Sequence, residues 1–73
     1  MKVAIIDDIQ WVVKEMAEAA DEAEHDVLGI CFGPRSSAYE AEAGNRIQYY
    51  GSRKLEEVVE RINAFGPDLI FID

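Results

Sequence analysis

The sequence predicts an α/β fold: a partial, doubly wound parallel sheet in the element order β-α-β-β-α-β, with strand order 3-2-1-4. Three observations predict it. Two short apolar runs ending in carboxylates, "MKVAIIDD" and "PDLIFID", open and close the chain. Two stretches with apolar residues at helical spacing lie between them. Glycine or proline punctuates most junctions. Strands alternating with helices imply parallel pairing through right-handed crossovers.

Val3-Ala4-Ile5-Ile6 is short, continuous and mostly β-branched, which suits a strand buried on both faces. Asp7-Asp8 end it, and either carboxylate suits the cap of the next helix. From Ile9 to about Ala23 the apolar positions Ile9, Val12, Val13, Met16, Ala19, Ala20 and Ala23 make one stripe of an amphipathic helix. Val27 to Phe32 reads as a second buried strand, stopped by Gly33-Pro34. The polar stretch "RSSAYEAEAGN" reads as a loop with room for one helical turn, and Gly44-Asn45 is a turn signal. Arg46 to Tyr50 is a short strand that points Tyr49 and Tyr50 to opposite faces. Gly51 breaks it, and Ser52 suits a helix N-cap. Leu55, Val58, Val59, Ile62 and Phe65 mark the second helix, which Gly66 and Pro67 end in the order of a left-handed cap followed by a stop. Leu69 to Ile72 form the last strand.

Size and charge narrow the function classes. With 73 residues the chain is expected to be a single Rossmann-like domain, and the N-terminal portion of a larger protein. A domain this short buries only roughly 60% of the surface its unfolded chain exposes. Net charge is −8, from 15 acidic and 7 basic residues, so the basic footprint of a nucleic-acid binder is missing. The same balance disfavours an anionic membrane surface. No apolar run reaches the roughly 20 residues of a membrane span. One cysteine, Cys31, and one histidine, His25, exclude an internal disulfide and a zinc site of His and Cys ligands. A lone thiol and no signal peptide are expected of a cytoplasmic protein.

In a 3-2-1-4 order the first and last strands are neighbours, and ligands bind beyond the C-terminal strand ends at this switch point. Strands lie about 4.8 Å apart, so Asp7, Asp8 and Asp73 can converge on one magnesium ion. The competing reading makes Asp7 or Asp8 a helix cap and Asp73 the end of a truncated chain. Gly33-Pro34-Arg35-Ser36-Ser37 follows the second strand and suits a phosphate or a sugar hydroxyl, or is an ordinary solvated loop. Trp11, in the first turn of helix 1, either lines a cleft or packs at the sheet edge. His25 falls at the opposite end of the sheet and reads as structural, and Cys31 lies in a buried strand and reads as inert. Neither G-x-G-x-x-G after the first strand nor G-x-x-x-x-G-K-[ST] is present.

The whole chain resembles the N-terminal part of a GT-B type glycosyltransferase. "MKVAII", a helix, "EHDVLGICFGP", "GNRIQYYGS", a helix and "PDLIFID" follow that family's order, with Glu24 where a glycine usually precedes the histidine. The resemblance implies a domain that contacts the sugar acceptor, while a second domain carries the nucleotide-sugar. It implies a segment that is inactive alone and holds no cofactor. The acceptor contacts expected at the strand ends are Asp8, Trp11, Gly33, Arg35 and Asp73, with no catalytic residue assigned. The chain also resembles a response-regulator receiver domain at "VAIIDD" and "PDLIFID". That resemblance implies magnesium on Asp7 and Asp8 and a phosphoacceptor at Asp73. In receivers the helix follows the second strand almost directly, whereas here Gly33 to Gly51 intervenes. Either way, the fourth strand is expected to be an exposed apolar edge, and hence a route to a homo-oligomer.

Overall fold

β1 (Lys2–Asp7) is the centre from which the sheet grows in both directions. The computed structural model describes residues 1–42, 44 and 46–73. After β1 come α1 (Gln10–Glu22), β2 (Asp26–Cys31), a single 3-10 turn (Tyr39–Glu42), β3 (Ile47–Gly51), α2 (Leu55–Phe65) and β4 (Leu69–Ile72). The order is β3-β2-β1-β4, and every pairing is parallel. The fold is thus the Rossmann-like partial sheet that the sequence predicts. The 3-10 turn fills the place where one helical turn was expected. Asn45, half of the expected Gly44-Asn45 turn, lies outside the described residues.

The two helices lie on opposite faces because the chain runs outward through α1 and back through α2 with the same handedness. Val3 and Ile5 pair with Val27 and Gly29, which pair in turn with Ile47 and Tyr49. Side chains from this row meet Val13 and Ala17 of α1, and Tyr39 closes the same cluster. The Tyr39 hydroxyl donates to the Gly29 carbonyl at 2.8 Å, and its ring lies 5.1 Å from that of Tyr49. The alternate residues Ile6, Leu28 and Ile30 face Val58 of α2, with Tyr50, Ile62 and Phe65 half-buried around them. Tyr49 and Tyr50 therefore serve different cores, as the period of two requires.

The helix ends depart from expectation in instructive ways. Ile9 occupies the N-cap of α1 and makes no side-chain capping bond. Asp7 Oδ1 instead accepts from the Ile9 N–H at 2.8 Å, from two positions before the N-cap. The N-cap of α2 is Lys54 rather than Ser52. Ser52 Oγ accepts from the Lys54 N–H at 3.1 Å and donates to Glu57 at 2.6 Å, so it ties the turn before the helix. At the end of α1, Glu24 N–H reaches the Asp21 carbonyl and His25 N–H reaches the Ala20 carbonyl. These two bonds form a Schellman motif, and they put Glu24 at φ 65°. α2 ends on Gly66 at φ 66°, as its sequence predicts.

β4 is the open side of the molecule. Leu69, Ile70, Phe71 and Ile72 stay 46–73% exposed, although they pair with β1. α2 buries Val58 over β2 but leaves Leu55 and Val59 exposed, so only part of its apolar stripe is covered.

Candidate functional site

The C-terminal strand ends form one row. Asp7, Cys31 and Gly51 are in register across β1, β2 and β3. Asp73 follows Ile72, the partner of Ile6, and its N–H donates to the Ile6 carbonyl at 3.1 Å. Asp7 and Asp73 therefore stand side by side. A hydrogen bond between their side chains, and then the like charge of Asp7, push the Asp73 carboxyl above its ordinary range. Asp8 does not join them: among the described residues no group of three or more His, Cys, Asp or Glu is placed to hold a metal ion. Its side chain is exposed.

The backbone of Asp8 has a different role. Its carbonyl lies so close to Gly33 that any Cβ there would overlap the oxygen. The Cys31 thiol lies 3.6 Å from the same carbonyl and 3.7 Å from that of Gly33. Burial pushes this thiol above its ordinary pKa, which agrees with an inert cysteine. The β1–α1 and β2 turns are thus locked together around Cys31.

The loop after β2 is held at two further points. Ser36 N–H donates to Gln10 Oε1 at 2.5 Å, and Gln10 Nε2 donates to Ser36 Oγ at 3.2 Å. Arg35 lies across Gly51, where a Cβ would overlap the guanidine Nε and Cδ. An open pocket of about 470 Å³ results, walled by Gly33 through Ser37 with Glu40 and Arg53. Arg53 comes from the β3–α2 turn that Ser52 ties down.

The five expected contact residues therefore separate. Gly33 and Arg35 meet in this pocket. Asp8 buttresses it through its backbone, and Asp73 pairs with Asp7 instead. Trp11 is 62% exposed, so it does not pack at the sheet edge, and it does not line the pocket. Arg53 is the residue that sequence reasoning missed. Its signal was positional: a cation just after a strand that ends on the ligand-binding edge.

A second groove, of about 460 Å³, lies at the N-terminal end of the sheet beside Lys2, Arg46 and Arg61. There Lys2 Nζ donates to the Phe65 carbonyl at 3.1 Å and sits over the Phe65 ring. Arg61 donates to Gln48 and sits over the Tyr50 ring. Lys2 thus satisfies the C-terminal end of α2. His25 is also at this end, with Nδ1 3.3 Å from the Met1 amino group, in keeping with a structural role. No helix is long and apolar enough to cross a membrane among the described residues. No protein-family model, curated protein or solved structure gave a match to the chain.

Proposed function

We propose that this chain is the acceptor-side, N-terminal part of a GT-B type glycosyltransferase, inactive until a second domain supplies the nucleotide-sugar. The observation that carries the reading is the braced pocket after β2, open at the ligand-binding edge of the sheet. Gln10 and Gly51 hold Ser36 and Arg35 before any ligand arrives, and such preorganisation is what orients an acceptor hydroxyl for transfer. The donor's leaving diphosphate would be stabilised from the other domain. Two features support the family reading. β3 lies between β2 and α2, as the resemblance requires, and Glu24 takes a positive φ where the family has glycine. The reading puts the reaction in the cytoplasm, where the lone Cys31 stays reduced. It also has β4 pairing with a second copy of the chain.

Amide chemical shifts of the labelled chain test this. Neutral and phosphorylated sugars should move Gly33 to Ser37, and a nucleotide-sugar should leave them in place. A nucleotide-sugar that saturates these residues, with no response to any other sugar, would overturn the reading.

The Asp7–Asp73 contact favours a second reading, a receiver-like phosphoacceptor. Magnesium is commonly held by one or two carboxylates plus water and phosphate, which these two side chains can supply. Beryllofluoride with magnesium should then shift Asp73. No shift would remove this reading and leave the first.

A further inference from the structure

We infer that the pocket after β2 takes a phosphate monoester, so that the acceptor is a phosphorylated sugar rather than a neutral one. The inference rests on the acceptor-side reading and adds the ligand's charge class and a second binding residue, Arg53. Two of the chain's four arginines line this one pocket, in a protein of net charge −8. Two guanidinium groups on one small pocket repel each other, and among the described residues that line it Glu40 provides one opposing charge. The pocket keeps a net positive charge, which an anionic phosphate monoester meets. Guanidinium forks match phosphate oxygens in pairs, and the hydroxyls of Ser36 and Ser37 add neutral donors beside them.

The geometry suits recognition rather than chance proximity. Arg35 is seated over Gly51, the one residue type that leaves room for it. Ser36 is clamped through both its backbone and its hydroxyl by Gln10. Arg53 sits on a turn fixed by the Ser52 hydroxyl. At the other end of the sheet, two of the three cations in the groove, Lys2 and Arg61, already hold partners in the protein, and Arg46 is the third. The chain's net charge of −8 repels anions at long range, so affinity for one has to come from a local cluster of cations such as this one.

Titration of the labelled chain with glucose 6-phosphate, inorganic phosphate and glucose tests the inference, alongside Arg53→Gln and Arg35→Gln. Both variants change exposed side chains, and an unchanged amide spectrum checks that each still folds. The phosphates should shift Gly33 to Ser37 and Arg53. Glucose should bind at least about tenfold more weakly, and each variant should lose about tenfold in phosphate affinity. Co-sedimentation with phosphatidic-acid vesicles that Arg53→Gln abolishes would assign the phosphate to a lipid. No co-sedimentation would leave it with a soluble sugar, as inferred, whereas assignment to a lipid would overturn the phosphorylated-sugar acceptor. Equal binding of glucose and glucose 6-phosphate would overturn the phosphate while sparing the acceptor-side reading. Phosphate binding that neither variant weakens, or no phosphate binding, would also overturn it. The nucleotide-sugar titration separately decides the acceptor-side reading.

Discussion

Asp73 stands beside Asp7 just past the pairing of β4 with β1, where its N–H donates to the Ile6 carbonyl at 3.1 Å and Asp7 pushes its carboxyl above the ordinary range. The folded state therefore favours the neutral form of the Asp73 carboxyl. A carboxyl whose folded pKa stands above its unfolded value gives stability that is complete below the unfolded value and is lost as pH rises through the folded one. Asp73→Asn keeps a donor and removes one charge. The variant should melt higher than the parent at pH 7 and at the same temperature near pH 3. Thermal melts at the two pH values check this, and a variant less stable at pH 7 would refute the raised Asp73 carboxyl.

Gly33 and Gly51 separate two kinds of crowding. At Gly33 a Cβ meets the Asp8 backbone carbonyl, which is fixed by the turn. Gly33→Ala should cost about 1–3 kcal/mol in urea unfolding. At Gly51 the obstacle is the far part of the Arg35 side chain, which can swing away. Gly51→Ala should therefore cost about 1 kcal/mol or less while weakening phosphate binding.

Glu24 sits in the left-handed region at φ 65° at the end of α1. Side chains other than glycine pay roughly 1–2 kcal/mol there, offset in part by glycine's freedom in the unfolded chain. Glu24→Gly should stabilise the protein by about 0.5–1 kcal/mol, read as a higher urea midpoint.

Tyr39 is fully buried and donates to the Gly29 carbonyl. Tyr39→Phe keeps the ring against Tyr49 and loses that bond, so it should cost about 1 kcal/mol in urea unfolding.

β4 should drive self-association. Its four apolar residues are about half-exposed or more, and its outer edge carries unpaired backbone groups. Sedimentation should show a weight-average mass that rises with concentration. A charge on the edge, Ile70→Lys, should suppress that rise.

Most of the fold was legible because it rests on short-range patterns. The apolar runs at Val3–Ile6 and Val27–Cys31, the helical stripe through Val13 and Ala17, and Gly66 each state their structure locally. The caps were less legible. Asp7, Asp8 and Ser52 are all good capping types, but Asp7 and Ser52 each lie two residues before the N-cap and bond its N–H instead. The stripe of α2 was legible as a helix, but its burial was not: Leu55 and Val59 are exposed because nothing covers that flank.

The candidate site was legible only in its residue types. Glycine, arginine and two serines after β2 marked a polar loop, but not that Gln10 would clamp it or that Arg53 would face it. Three aspartates at strand ends suggested one cluster, and the register admits only Asp7 and Asp73.

By itself the sequence determined the alternation of strands and helices, and through the right-handed crossover rule their parallel pairing. Those depend on periodicity and handedness, which act along the chain. Only the tertiary structure decided which aspartates meet, where Arg35 rests and what Arg53 faces. Those depend on distances between residues far apart in sequence, set by the close approach of Asp8 to Gly33 and of Arg35 to Gly51.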